Sequence, residues 1–285
     1  MVHEIFPHHL DNQFHPREIQ PTDMVVIFSD KHVLVQGNLG DNLILPQYQS
    51  ISDQVAPEAL RFLFTIDDTG YYLLWDKPES FSPDGYHGLL VSDFRQIRTA
   101  VSKVSYFAVL TAWHLYVWYV SVRFCGHCGQ PLAHDAKLRM LRCPSCGNLF
   151  FPKISPAVII GVTKGDCILM SKYAGRSYTG FALLAGFVEI GETPEQSVAR
   201  EVLEEVGLSV RNIRYYKSQP WGLDGNLSLG FFCELNGADT IQLDREELSM
   251  AQWYSRDEIP VDNDEYTLTY DMIQYFKAHP EAFAK

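Results

Sequence analysis

Three glutamates within one helical stretch, and four cysteines in two pairs, have the types and spacing to do chemistry in this 285-residue chain. Glu201, Glu204 and Glu205 stand at i, i+3 and i+4, so a helix gathers them on one side. Like charges at that spacing repel on a bare helix. A divalent cation reverses that cost, and all-oxygen ligands suit a hard ion such as Mg²⁺ or Mn²⁺. A solvated acidic face is the plain alternative. The cysteines read Cys125-Gly-His-Cys128 and Cys143-Pro-Ser-Cys146, with fourteen residues between the pairs. Each Cys-x-x-Cys folds into a tight knuckle, and two knuckles complete a closed tetrahedral thiolate site for zinc. Four protein ligands leave no open position, so the zinc is structural; iron or redox pairs are the alternative. His127 and His134 lie nearby, but four thiolates suffice. Cys167 and Cys233 sit in apolar, strand-like runs and read as buried structural residues.

The elements that must position the glutamates can be read around them. Thr193 serves as N-cap with Gln196 closing a capping box. Pro194 takes the first helical position, and Gly207 suits the left-handed position after the last turn. At about 100° per residue, Val198, Ala199, Val202, Leu203 and Val206 fall in one sector, expected to dock on a core. The glutamates fall opposite. Upstream, Pro156–Val162 and Cys167–Ser171 suit neighbouring strands around the turn at Lys164-Gly-Asp166, and Phe181–Ala185 is a short strand leading to Gly186. Downstream, Leu227–Leu235 and Ala251–Tyr254 suit strands, and residues 264–278 a closing helix. Residues 1 to about 90 are β-rich: Met24–Phe28, His32–Gln36, and a hairpin of Phe62–Ile66 with Tyr71–Trp75 around Asp67–Gly70. Ser92 is expected to cap a helix through Phe94, Ile97 and Val101. Val104–Val122 lacks Asp, Glu, Lys and Arg and is just long enough to span a bilayer. Its Ser105, Thr111, His114 and Ser121 favour a buried helix instead.

The stretch from Gly186 to Leu208 meets every fixed position of the Nudix box: Gly186, Glu192, Arg200, Glu201, Val202, Glu204, Glu205, Gly207 and Leu208. A zinc ribbon directly before it, Ser218-Gln-Pro-Trp221 after it, and Glu247 in Glu246-Glu-Leu-Ser-Met-Ala-Gln-Trp253 make the chain resemble the NADH pyrophosphatase (NAD⁺ diphosphatase) family of zinc-ribbon Nudix hydrolases. The resemblance runs from about residue 110 to the C-terminus, more loosely before that. It implies an α+β chain in three parts. Residues 1–122 form a β-rich N-terminal domain ending in a helix, 123–152 the zinc ribbon, and 153–285 a Nudix α/β/α sandwich with a mixed sheet.

The resemblance also implies roles. Glu201, Glu205 and Glu247 bind catalytic Mg²⁺ or Mn²⁺ with the carbonyl of Ala185, and Glu204 is a further ligand or base. Phe151 and Phe187 stack on substrate rings, where relatives often have Tyr at the first. Gln219, Pro220 and Trp221 line the dinucleotide pocket, and two subunits of a homodimer share each site. The implied reaction splits the diphosphate of NADH or NAD⁺ into nicotinamide mononucleotide and AMP, and extends to NAD caps on RNA 5′ ends; ADP-ribose and other nucleoside-diphosphate-linked compounds are the alternative. One departure stands out. Where relatives continue Pro-Phe-Pro-x-Ser, this chain has Gly222-Leu-Asp-Gly-Asn226. Asn226 takes the serine's place and can still bond a phosphate or ribose, and the loop is expected to be flexible.

Composition bounds the rest. A hydrophobic fraction of 46% allows a sizeable core, and a net charge of −12 argues against the diffuse basic surface of a duplex-DNA binder. The N-terminal residues lack a signal peptide's pattern, and a metal-type cysteine framework fits a reducing compartment; a cytoplasmic protein without membrane attachment is expected. Two other classes compete: a non-catalytic nucleotide-sensing Nudix module, which would be expected to lose box glutamates, and a ribbon-based RNA binder.

Overall fold

Alternation along the strands fixes the C-terminal architecture. The structure, a computed structural model, describes residues 1–38, 42–77, 81–83, 86–176, 178–260 and 264–283. Its contacts divide the chain into two units: residues 2–153 with 222–224, and Met1 with 154–221 and 225–285.

In the first unit, β1 (Leu10–Asp11), β2 (Met24–Val26), β5 (Leu60–Ile66) and β6 (Thr69–Leu74) form a sheet in the order β1-β5-β6-β2. A second sheet, β3-β4-β7, joins β3 (Phe28–Ser29), β4 (His32–Val35) and β7 (Leu90–Asp93). Helices α1 (Phe94–Ala100) and α2 (Lys103–Ser121) follow. The cap of α1 is Asp93, not Ser92. Ser92 lies inside β7 with its side chain buried, whereas the Asp93 carboxylate reaches the N–H groups of Arg95 and Gln96 at 2.8 and 2.7 Å. Helix α2 buries Tyr106–Leu110, Ala112, Trp113, Leu115, Trp118 and Tyr119, as a helix apolar over most of its circumference must. Val117, Val120 and, just beyond it, Phe124 stay exposed. Among the described residues no helix is long and apolar enough to cross a membrane.

The ribbon contributes β8 (Ala133–His134), β9 (Leu141–Arg142) and β10 (Leu149–Phe150). Arg139 ties it to the preceding strands, donating to the Leu63 carbonyl and, at 2.6 Å, to Asn12. Gly222 belongs to the same unit, and its glycine supplies room rather than the expected flexibility. A Cβ there would lie 2.1 Å from the Leu110 carbonyl oxygen.

The second unit is built on β11 (Ser155–Lys164), β12 (Cys167–Tyr173), β13 (Leu184–Phe187), β14 (Val210–Trp221), β15 (Asn226–Leu235) and β16 (Leu248–Ser255). The sheet order is β14-β15-β11-β12-β16, with β13 paired to β11. Only β11 and β15 run parallel among these pairs, so the sheet is mixed, as expected. Along β11, Val158, Ile160 and Val162 share a core with Val198, Val202 and Val206 of α3 (Pro194–Val206). On the other face Ile168, Met170 and Phe232 pack on Leu268, Met272, Ile273 and Phe276 of α4 (Leu268–Ala278). The sheet is therefore sandwiched between helices. Helix α4 starts four residues later than expected because Thr267 caps it, accepting from Tyr270 N–H at 3.2 Å. The short strand also begins later, at Leu184; Ala182 makes an isolated bridge to Ser171.

Candidate active site and metal centre

The capping residues hold α3 as the sequence implied. Thr193 Oγ1 accepts from Gln196 N–H at 3.3 Å, and Thr193 N–H donates to Gln196 Oε1 at 2.8 Å. Gly207 closes the helix at φ 69°. The buried face, however, is rotated from the expected sector. Ala199 and Leu203 are exposed, while Glu201 and Glu205 are buried together with Ser197, Val198, Val202 and Val206. Only Glu204 remains outside.

That rotation is made by β13. Its Gly186 lies so near α3 that a Cβ would sit 2.0 Å from the Glu201 carboxyl carbon; no other residue type leaves the carboxylate this space. Burial pushes Glu201 above the usual carboxylate range, against the opposing hydrogen bond from Arg200. Glu205 is only 2% exposed. Burial first, then the charges of Glu201 and Glu247, push it up to about 8. Both of its carboxyl oxygens are buried without a hydrogen-bond partner. An unpaired buried carboxylate is expensive, and a divalent cation is the partner that would relieve it. Glu247, exposed in the turn just before β16, is held by its backbone, its carbonyl accepting from Ala174 N–H at 2.8 Å.

Arg200 organises the rim. Its Nε and Nη2 bond Glu192 at 2.7 and 2.9 Å, its Nη1 bonds Glu201 at 2.7 Å and Glu204 at 2.9 Å, and Nη2 also reaches the Phe187 carbonyl at 3.0 Å. The sequence marked Arg200 and Glu192 only as pattern positions; the geometry makes them the frame of the cluster. Arg176 was missed altogether. Its charge acts on Glu205, and no box position or periodicity points to it.

The substrate-binding candidates are placed unequally. Phe187 and Phe151 expose 52% and 58% of their surface, with rings free for stacking. Gln219 is buried and its amide is committed, with Nε2 donating to the Tyr266 carbonyl and Oε1 accepting from Leu268 N–H, both at 2.6 Å. It fastens β14 to the start of α4. Trp221 and Asn226 are paired across the β14–β15 hairpin, with Pro220 exposed beside them. Ala185 pairs with Ile159 in the sheet, next to Gly186.

In the ribbon the four Sγ atoms lie within 4.8 Å of one another; among the described residues no other group of three or more ligand side chains is gathered so closely. Cys125–Cys146, Cys128–Cys143 and Cys128–Cys146 Sγ separations are 3.6, 3.5 and 3.5 Å. A tetrahedron of Zn–S bonds of about 2.3 Å sets sulfurs roughly 3.8 Å apart, close to this spacing. Burial pushes the Cys125 thiol up, but the N–H groups of Cys128 and His127, with the neighbouring thiols, hold it down to about 6. The donor set fits structural zinc.

The fold and both sites define a Nudix domain preceded by a zinc ribbon. Residues 153–276 match the NUDIX domain family, and residues 121–151 the NADH pyrophosphatase zinc ribbon domain; these are the two domains that the sequence resembles. It is 40% identical over 145 residues to the NAD-capped RNA hydrolase NudC of Salmonella schwarzengrund, and 38% over 144 residues to that of Klebsiella pneumoniae. Each match covers 50% of this chain and 56% of the relative, so the chain spans about half the length of the curated relatives it matches. A crystal structure of a NUDIX hydrolase from Nitrosomonas europaea aligns with a TM-score of 0.50 at 24% identity, over 57% of this chain and 95% of that one. That likeness concerns the fold.

Proposed function

We propose that the protein hydrolyses the diphosphate linkage of NADH and NAD⁺ to nicotinamide mononucleotide and AMP, and acts on the same linkage in NAD-capped RNA. The observation that carries this reading is Glu205, buried without a hydrogen-bond partner beside Glu201, in a Nudix domain that follows an NADH pyrophosphatase zinc ribbon. Glu201, Glu205, Glu247 and the Ala185 carbonyl would hold Mg²⁺ or Mn²⁺. Such an ion, when bound, neutralises diphosphate charge and makes water more acidic. The protein's own part is to hold Glu201 and Glu205 apart from bulk water, with Arg200 fixing their rim, and to accept a proton. A glutamate of the cluster, with Glu204 the exposed candidate, takes the proton of the attacking water. The water oxygen bonds one phosphorus and stays with it as that atom's bond to the bridging oxygen breaks, and the leaving nucleotide carries away the bridging oxygen.

Phe187 offers a ring face to a base, and Pro220, Trp221 and Asn226 line the dinucleotide pocket, with Gln219 bracing its wall. The protein works as a cytoplasmic homodimer; the exposed Val117, Val120 and Phe124 supply apolar surface for a second subunit. Purified protein with Mg²⁺ or Mn²⁺ should release AMP from NADH and from NAD⁺, with weak discrimination because one lost apolar contact is worth only about 1–3 kcal/mol. Trp221→Ala should lower kcat/KM for both dinucleotides more than for ADP-ribose. A wild type that cleaves ADP-ribose and ignores both dinucleotides would overturn the nicotinamide reading and leave a general Nudix hydrolase.

A further inference from the structure

A site rich in carboxylates repels a diphosphate, and a cation of the protein facing the substrate would add to what a bound metal ion supplies. Arg200 cannot be that cation. An arginine has five N–H donors, and every nitrogen of this one is engaged: Nε by Glu192, Nη1 by Glu201 and Glu204, Nη2 by Glu192, the Phe187 carbonyl and Ser197.

Arg176 is placed differently. Strand β12 ends at Tyr173, paired with Leu248 at the start of β16. Ala174 N–H donates to the Glu247 carbonyl at 2.8 Å, and Ser249 Oγ donates to the Tyr173 carbonyl at 3.1 Å. The chain then turns at Gly175, φ 65°, and Arg176 folds back with its guanidinium 4.1 Å above the Tyr173 ring. The side chain is exposed, and among the described residues it has no carboxylate partner. The stack orients the guanidinium plane without consuming its N–H donors. Its charge is felt at Glu205, together with those of Glu201, Glu247 and Asp244.

We infer that Arg176 is a substrate-binding residue, its guanidinium gripping the diphosphate beside the glutamate cluster in the two-pronged manner that suits phosphate. This rests on the reading of the protein as a diphosphate hydrolase, and it adds the residue that selects a charged linkage. Tyr173 is the positioning residue behind it.

The test compares wild type, Arg176→Ala and Arg176→Lys on NADH, NAD⁺ and ADP-ribose, with KM and kcat read separately. Mn²⁺ affinity is followed by electron paramagnetic resonance, and ADP-ribose binding by calorimetry with Ca²⁺ in place of the activating ion. Arg176→Ala should raise KM about 10–100-fold on every substrate the wild type cleaves, as expected for loss of a charge-assisted contact. ADP-ribose binding should weaken in parallel while Mn²⁺ affinity stays within twofold. Arg176→Lys should recover part of the loss, keeping the charge without the fork. An unchanged KM in Arg176→Ala, with an active wild type, overturns the inference alone. So does a loss that tracks lost Mn²⁺ affinity, since Arg176 would then act through the metal ligands. A wild type that neither binds nor cleaves any of the three substrates overturns the hydrolase reading together with the inference.

Discussion

The ribbon and the Nudix helix both gather side chains of a type that can hold a metal, and they do it in opposite ways. In the ribbon, two four-residue knuckles bring four sulfurs within 4.8 Å and aim backbone N–H groups at Cys125 and Cys143. Little beyond the knuckles is needed, and no coordination position is left for a substrate. At the other site Glu201 and Glu205 come from α3, Glu247 from the turn just before β16, and the space for Glu201 from a glycine on β13. These carboxylates are not drawn together as closely, and Glu205 is left buried and unpaired. A closed set of ligands makes structure; an open, uncomfortable one keeps room for chemistry.

The largest effect that would break this contrast lies at Glu205. Mutating even an outer partner of a metal ligand typically costs about 10–100-fold, so Glu205→Gln should lower AMP release by more than about 100-fold while circular dichroism reports an intact fold. Near-normal turnover would remove the carboxylates from the metal site. At the ribbon the consequence should be reversed in kind. Cys143→Ser should cost on the order of several kcal/mol of stability, because structural zinc binding is folding free energy. Metal analysis should fall from one zinc per chain, and the melting temperature should drop with it. A variant that kept zinc and stability but lost turnover would make the ribbon catalytic.

Gly186→Ala sharpens the comparison from the side of the scaffold. The added methyl must displace the Glu201 carboxyl, at about 1–3 kcal/mol of overpacking, and turnover should fall along with the melting temperature. The gentlest probe is pH. Glu205 is raised from an ordinary 4.5 to about 8, so between those values the folded protein holds a proton that the unfolded chain has lost. Stability of protein freed of loosely held divalent cations should therefore decline as pH rises from about 4.5 to about 8. Glu205→Gln should flatten that decline, and denaturant titrations at several pH values in the two proteins would show it. A ribbon variant should leave the slope in place.

Much of this was legible in the sequence for a local reason. Helix α3 and its caps, the two knuckles, the hairpin at Asp67–Gly70 and the buried α2 all depend on residues a few positions apart. The misreadings share one cause. Ser92 has the side chain of a cap, but strand β7 holds it in the interior and its neighbour Asp93 has the reach. Gly222 suggested freedom, whereas it answers to a helix more than one hundred positions earlier. Gln219, expected at the pocket, bonds the backbone of Tyr266 and Leu268, partners nearly fifty positions away that no local motif announces.

The sequence by itself determined that Glu201, Glu204 and Glu205 share one helix side and that four thiols share one zinc, since 3.6-residue and Cys-x-x-Cys spacings are local geometry. It did not determine which glutamates are buried. Helical periodicity fixes angles about the axis but not what packs against each angle. Only the sheet, by bringing Gly186 against Glu201 and Glu247 in from the turn before β16, turned α3 so that two carboxylates lie inside, Glu204 lies outside, and the charge of Arg176 reaches Glu205.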